Sequence, residues 1–223
     1  MAELTDLINL ARFITGTLIL LYASVCDVKT REVGDRLWVL MGVCGGVFIV
    51  LDVPDLTQLA ISFLISVPFA FLLYFFGMGG ADVKAMWGIT LLAPLTPGMF
   101  FLPYVASPLF VFPVIVLLDA LLLIIALLPI YGLYNLSKGS CEFPYCLFGY
   151  KLRASLAKNS FVWSMETPYK KSIFPIKKCD FDEFGDREIW VTPQIPFLVF
   201  ICAGFIMAFL FGDILSFILS LTV

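Results

Sequence analysis

Histidine is absent from all 223 residues. That removes Ser–His and Cys–His nucleophilic mechanisms, zinc sites built on imidazole and histidine proton relays. Charge is scarce as well: 14% of residues are charged against 61% hydrophobic, and the mean hydropathy is +1.01. Soluble domains carry roughly 25% charged residues, and a soluble sphere of this size has no room to hide the apolar excess. The chain reads as a polytopic membrane protein. A secreted disulfide scaffold, a disordered protein and a free nucleic-acid binder are excluded. The six cysteines, at 26, 44, 141, 146, 179 and 202, are scattered and outline no disulfide framework. Cys141 and Cys146 are the one close pair, and without further ligands beside them zinc is not expected. No cofactor or metal is implied.

What is abundant is apolar sequence in runs. A bilayer-spanning helix needs about 20 mostly apolar residues. Candidate spans are Leu7 to Cys26, with Arg12 expected to snorkel, then Leu37 to Leu51 and Leu56 to Phe76. From Ala85 to Leu118 there is no charge at all, which is too long for one helix. Pro94, Pro97, Pro103 and Pro108 divide it, since proline lacks an N–H and clashes with the preceding turn. A short fourth helix from about Val83, a Pro-rich connection over 96–109 and a fifth helix from Phe110 to Leu133 follow. The last span runs from Pro196 to Leu219. The fold class is therefore all-α and polytopic, with six transmembrane helices and a small α/β or β-containing cytoplasmic insert between helices five and six.

The basic residues test this division. Every lysine and arginine except Arg12 falls between helices one and two, three and four, or five and six. By the positive-inside rule that side is cytoplasmic, which puts both termini outside. No Lys or Arg precedes Arg12, so helix one lacks the basic start of a signal peptide and is expected to be retained. The domain division is 1–136 for helices one to five, 137–190 for a cytoplasmic subdomain and 191–223 for helix six. Ser160 to Trp163 and Glu188 to Val191 have the composition of short strands.

Ionisable groups at membrane depth are costly and usually functional. Five aspartates lie in or beside a span: Asp27, Asp52, Asp82, Asp119 and Asp213. Asp52 and Asp213 read as interfacial anchors on the outer side. Asp119, early in helix five, reads as a structural hydrogen-bond partner or as part of an ion path. Asp27 and Asp82 differ, because each lies at the cytoplasmic end of a span and each is followed two residues on by a lysine, Lys29 or Lys84. Two neighbouring carboxylates share one proton, so that one activates water while the other protonates the scissile amide. The competing reading is a pair of helix-end acids, each satisfied by its lysine.

The surroundings of Asp82 favour chemistry. Gly77, Gly79 and Gly80 precede Ala81, Asp82 and Lys84 in a glycine-rich turn that opens a membrane helix. Glycine allows positive φ and close backbone approach, which suits a site admitting an extended peptide. A phosphate cradle is the alternative for such a loop, but an acid at its centre repels anions. A plain tight turn is the remaining reading.

The segment Asp27-Val28-Lys29-Thr30-Arg31-Glu32-Val33, with Gly79-Gly80-Ala81-Asp82-Val83-Lys84, resembles the type IV prepilin peptidases, polytopic aspartyl proteases of the GxGD class. The archaeal branch, the preflagellin peptidases, is the nearer match. The segment Trp190-Val191-Thr192-Pro193-Gln194-Ile195-Pro196-Phe197, introducing the final helix, is also similar to theirs. The resemblance implies that Asp27 and Asp82 are the catalytic pair, with Gly77, Gly79, Gly80, Ala81 and Lys84 as the active-site loop. It implies a preflagellin or prepilin-like substrate with a short basic leader ahead of an apolar helix, cut at the cytoplasmic face of the cell membrane. Asp180, Asp182, Glu183, Asp186 and Glu188 form an acidic cluster suited to hold such a leader. One position departs from the GxGD pattern: Ala81 stands where the family has glycine, a cost if that position needs positive φ. No counterpart of the bacterial cysteine-rich methyltransferase region is seen, which implies peptidase activity without methylation. A proton-coupled transporter or channel using Asp27, Asp82 and Asp119 is the alternative from another class.

Overall fold

The computed structural model describes residues 2–75, 77–97, 111–177 and 179–220. Most of the Pro-rich connection expected over 96–109, with Pro103, Pro108 and the expected helix start at Phe110, lies outside them. The chain forms two compact units, 1–123 with 196–223, and 124–195.

The first unit is helical: α1 (Ala2–Thr30), α2 (Arg36–Asp52), α3 (Leu56–Phe75), α4 (Gly80–Leu92) and most of α5 (Phe112–Ile125). The segments after the polar insert, α9 (Phe197–Phe211) and α10 (Ile214–Ser220), return to the same unit. Among the described residues three helical stretches are long and apolar enough to cross a membrane: Glu3–Thr30, Leu56–Phe75 and Phe112–Ser137. The last is interrupted at Ala126, after which α6 (Leu127–Ser137) continues in the second unit.

The core of the first unit collects Leu20 and Ala23 of α1, Met41 of α2, Met86 and Ile89 of α4, Phe112 and Ile115 of α5, and Ile201 and Phe205 of α9. Helices α2 and α4 approach closely, because a Cβ on Gly45 would collide with the Leu91 backbone. At one end of the unit Arg12 Nη1 donates to Asp52 Oδ2 at 2.9 Å and to Asn9 Oδ1 at 3.1 Å. Arg12 is thus buried in an ion pair rather than snorkelling, and Asp52 is its partner rather than a free anchor.

Asp213 is also buried within the chain. It sits where the last helix breaks at Gly212 (φ 81°) and caps α10 by accepting from Ser216 N–H at 3.2 Å and Ser216 Oγ at 2.7 Å. The fully buried Asp119 accepts the Ile214 N–H at 3.3 Å, the structural kind of role.

The second unit holds α6, the short helices α7 (Tyr145–Phe148) and α8 (Ala154–Ala157), and four strands. These are β1 (Tyr150–Arg153), β2 (Val162–Glu166), β3 (Lys171–Ile176) and β4 (Glu188–Pro193), in the antiparallel order β1-β4-β2-β3. Asn135 of α6 is buried and donates to the Cys146 and Gly149 carbonyls at 2.8 and 2.7 Å, which docks α7 against α6. Trp190 of β4 packs with Cys146 and Met165. Cys141 and Cys146 form a disulfide across a Cα–Cα span of 5.1 Å. Their sequence spacing had not marked them as a bridge.

Candidate active site

Asp27 occupies the last turn of α1. The helix stops after Thr30, where Arg31 turns to positive φ (59°) and its N–H closes on the Asp27 carbonyl at 3.1 Å. A carboxylate at a helix C-terminus faces the negative end of the dipole. Here the opposite end of another helix offsets it: the Leu198 backbone N–H, in the first turn of α9, lies near the Asp27 carboxylate. The Arg31 guanidinium lies 3.9 Å from the same group. One turn back, Ser24 Oγ donates to the Leu20 carbonyl at 2.7 Å and to the Leu198 carbonyl at 3.0 Å. Residue Leu198 is therefore held to α1 through its carbonyl.

Asp82 is placed by the α3–α4 turn. Gly77, at φ 95°, ends α3: its N–H bonds the Tyr74 carbonyl at 3.0 Å, and the Met78 N–H bonds the Leu73 carbonyl at 3.1 Å. That is the Schellman pattern, and it demands a left-handed residue at this point. Gly79 then caps α4, its carbonyl accepting the Asp82 N–H at 3.1 Å, and the carboxyl of Asp82, third residue of that helix, sits beside Gly79. A Cβ on Gly79 would stand 2.8 Å from Asp82 Oδ2, so glycine is what leaves the carboxylate where it is. Nothing lies within 4 Å of the equivalent position on Gly80. Among the described residues the non-glycine positive φ values belong to Arg31 and Val53. Ala81 is an ordinary helical residue, and its difference from the GxGD pattern carries no backbone cost.

Asp27 and Asp82 thus come from helices distant in sequence and lie near enough to feel each other's charge. Both are only partly buried, so water can reach them. The lysines do not neutralise them. Lys84 Nζ pairs with Asp35 at 2.6 Å, at the start of α2, and the cation facing Asp27 is Arg31 rather than Lys29. Arg31, Leu198 and Asp35 were not singled out in the sequence. The i,i+4 spacing of Asp27 and Arg31 was a usable signal, whereas a backbone N–H some 170 residues away has no sequence signature. Among the described residues no group of three or more Cys, Asp or Glu is placed to hold a metal. Two half-buried carboxyls that approach closely can share a proton and polarise water.

The acidic cluster lies in the second unit. Asp180 accepts the Asp182 N–H at 3.0 Å and caps a short 3₁₀ turn, Phe181–Phe184. Asp182 pairs with Lys158 at 2.7 Å, and Asp186 accepts from Ser155 Oγ at 3.2 Å. Glu183 is exposed, and Glu188 opens β4, opposite Arg153.

Residues 14–133, which contain both Asp27 and Asp82, match the model of the type IV leader peptidase family. Residues 175–214 match that of the archaeal peptidase A24 C-terminus, type II. A preflagellin peptidase of Methanocaldococcus jannaschii is 32% identical, covering 90% of this chain and 94% of its own length. Preflagellin peptidases of Methanococcus voltae and Methanococcus maripaludis are 31% and 28% identical, covering 92% and 93% of this chain and 97% and 98% of their own lengths.

Proposed function

The chain belongs to the type IV leader peptidase family, and from that premise we propose that it is a membrane aspartyl endopeptidase whose catalytic pair is Asp27 and Asp82. The observation that carries this reading is that these two carboxyls, one ending α1 and one opening α4, lie within electrostatic reach of each other, with neither lysine neutralising them. With one proton between them, the ionised carboxylate takes a proton from water as its oxygen attacks the scissile carbonyl carbon. The neutral carboxyl gives its proton to the carbonyl oxygen. Collapse of the tetrahedral diol then sends a proton to the amide nitrogen and breaks the C–N bond. Gly77, Gly79, Gly80, Ala81 and Lys84 form the loop that holds Asp82 and leaves room for an extended peptide beside it.

The substrate in this reading is a preflagellin or prepilin-like protein, cut between a short basic leader and the apolar segment behind it. The relatives' names as preflagellin peptidases support that class. Six spans, made from α1, α2, α3, α4, α5 with α6, and α9 with α10, place both aspartates at the cytoplasmic face and both termini outside. Residues 137–190 then form the cytoplasmic segment between the membrane parts 1–136 and 191–223. Asp180, Asp182, Glu183, Asp186 and Glu188 attract the leader. The transporter alternative has no support: Asp119 hydrogen-bonds to the start of α10 instead of joining Asp27 and Asp82 in a relay.

The test is cleavage of a preflagellin by the reconstituted wild type and by Asp27→Asn, Asp82→Asn and Asp119→Asn, each checked for folding. Loss of cleavage in the first two with retention in the third is expected. Cleavage surviving loss of Asp27 or Asp82 would sink the dyad. A shared proton also gives a bell-shaped dependence of kcat/KM on pH; a flat profile through the acid and neutral range is the contrary result.

A further inference from the structure

The segment from Thr167 to Lys178 holds Lys170, Lys171, Lys177 and Lys178, no acid, and the apolar residues Tyr169, Ile173, Phe174, Pro175 and Ile176. Its described part is the β2–β3 hairpin. Thr167 and Lys170 close the turn, with the Thr167 N–H on the Lys170 carbonyl at 2.7 Å. Tyr169 at the tip is 97% exposed and Phe174 is 79% exposed, with Ile173 beside it at 39%. Side chains this apolar stand in water only where something else covers them.

The pairing with β2 explains why they project. Ser164 faces Ile176 and Glu166 faces Lys171. Met165 alone on β2 therefore lies opposite the four residues Ser172 to Pro175 on β3. The surplus is a bulge that pushes Ile173 and Phe174 off the sheet, and β3 is the edge strand. A bulged edge carrying proline and lysines cannot extend the sheet with another strand. The lysines flank the bulge on both sides. Lys171 pairs with Glu142 at 2.7 Å, Lys177 Nζ stands 5.6 Å from the Trp163 ring centre, and Lys170 joins none of the ion pairs among the described residues.

We propose that this hairpin is a bilayer-docking element: Tyr169, Ile173 and Phe174 enter the headgroup region of the membrane that holds the helices, and Lys170 and Lys177 engage its anionic lipids. Aromatic residues favour the membrane–water interface, and lysines are drawn to anionic headgroups. The occupant follows from charge and from chain connectivity. A basic peptide is repelled by the lysines, a strand is refused by the bulge, and the second unit to which the hairpin belongs is continuous at both ends with apolar helical sequence, through α6 and before α9. Docking at two further points ties the insert to the surface instead of leaving it on its connections alone. The inference rests on the chain being membrane-embedded, which the reconstitution in the following experiment checks separately from docking.

The full chain, carrying the photo-crosslinker p-benzoylphenylalanine at position 174 or 169, is reconstituted into vesicles of phosphatidylcholine with or without phosphatidylglycerol. Position 156, an exposed leucine outside the hairpin, is the reference. Lipid adducts at 174 and 169 are expected at about fivefold the level at 156 in anionic vesicles. They should fall when phosphatidylglycerol is omitted, and fall likewise in the Lys170→Glu, Lys177→Glu double variant. Adducts at 174 to polypeptide instead of lipid, lipid labelling no higher than at 156, or labelling indifferent to lysine reversal would each overturn the proposal.

Discussion

A methyl group is enough to displace the carboxyl of Asp82. The Cβ that Gly79 lacks would stand 2.8 Å from Asp82 Oδ2, and at Gly80 the same addition meets nothing. Gly79→Ala is therefore expected to lower kcat by about 100-fold, the scale of an ångström's misplacement of a reacting group, with folding retained. Gly80→Ala, in the first turn of α4, leaves the Asp82 carboxyl in place, so it should lower kcat far less and stabilise by roughly 0.5–1 kcal/mol through helix propensity. Steady-state cleavage and thermal unfolding of both variants check the pair; equal losses of activity would show that steric displacement is not the cause. The same residues show how far the sequence could be read. Asp27 and Asp82 stood out because each interrupts apolar sequence at a span's end, where a charge needs a reason. Their lysine neighbours misled, since proximity in sequence suggested pairing where the fold joins Lys84 to Asp35 and Asp27 to Arg31. The Leu198 N–H was invisible because any residue can supply a backbone donor.

Among elements, the apolar runs gave helix positions well and helix continuity poorly. Hydrophobicity reports burial in lipid or core, and it does not change where a helix breaks. The interruptions at Ala126 and at Gly212–Asp213 fall inside uniformly apolar surroundings, and only the glycine and the aspartate of the second carried a hint. The strand β3 is hard to read for a related reason: it alternates poorly because its bulge breaks the period of two, whereas β1 is only four residues long. Between elements, the buried Arg12–Asp52 pair fastens the first helix to the end of the second at 2.9 Å. Removing one partner strands a buried charge. Asp52→Ala should thus cost about 3 kcal/mol of stability, seen as a lower thermal midpoint, with activity per folded molecule retained. The double variant Arg12→Leu, Asp52→Leu should recover most of the loss, because replacing both charges by apolar groups removes the desolvation cost along with the attraction. A single variant as stable as wild type would mean that the pair contributes nothing.

For the whole molecule, the distribution of charge carries more than the net −3. Apart from Arg12, the cations lie at helix ends or in the polar segment, which the proposed topology puts on one side, and that segment is itself divided. Residues 170–178 are basic and 180–188 mainly acidic, so adjoining stretches of one segment suit opposite partners: anionic headgroups for the first, a cationic leader for the second. The acids are not equivalent. Lys158 already compensates Asp182 at 2.7 Å, and Asp186 holds Ser155, whereas Glu183 is exposed in the 3₁₀ turn. Neutralising all five of Asp180, Asp182, Glu183, Asp186 and Glu188 should therefore raise KM for a full-length substrate with kcat little changed. Asp182→Asn should raise KM at least as much as Glu183→Gln, because it leaves Lys158 unpaired to repel the leader as it removes an acid. Because exposed charges are screened within about 10 Å at 0.1 M salt, the wild-type KM should rise with ionic strength and the five-fold variant's should not. Titrating salt against KM for the two proteins separates attraction of the leader from a structural role of the cluster, since a structural defect lowers activity at every salt concentration. An unchanged KM in the five-fold variant would remove leader attraction and leave the dyad reading untouched.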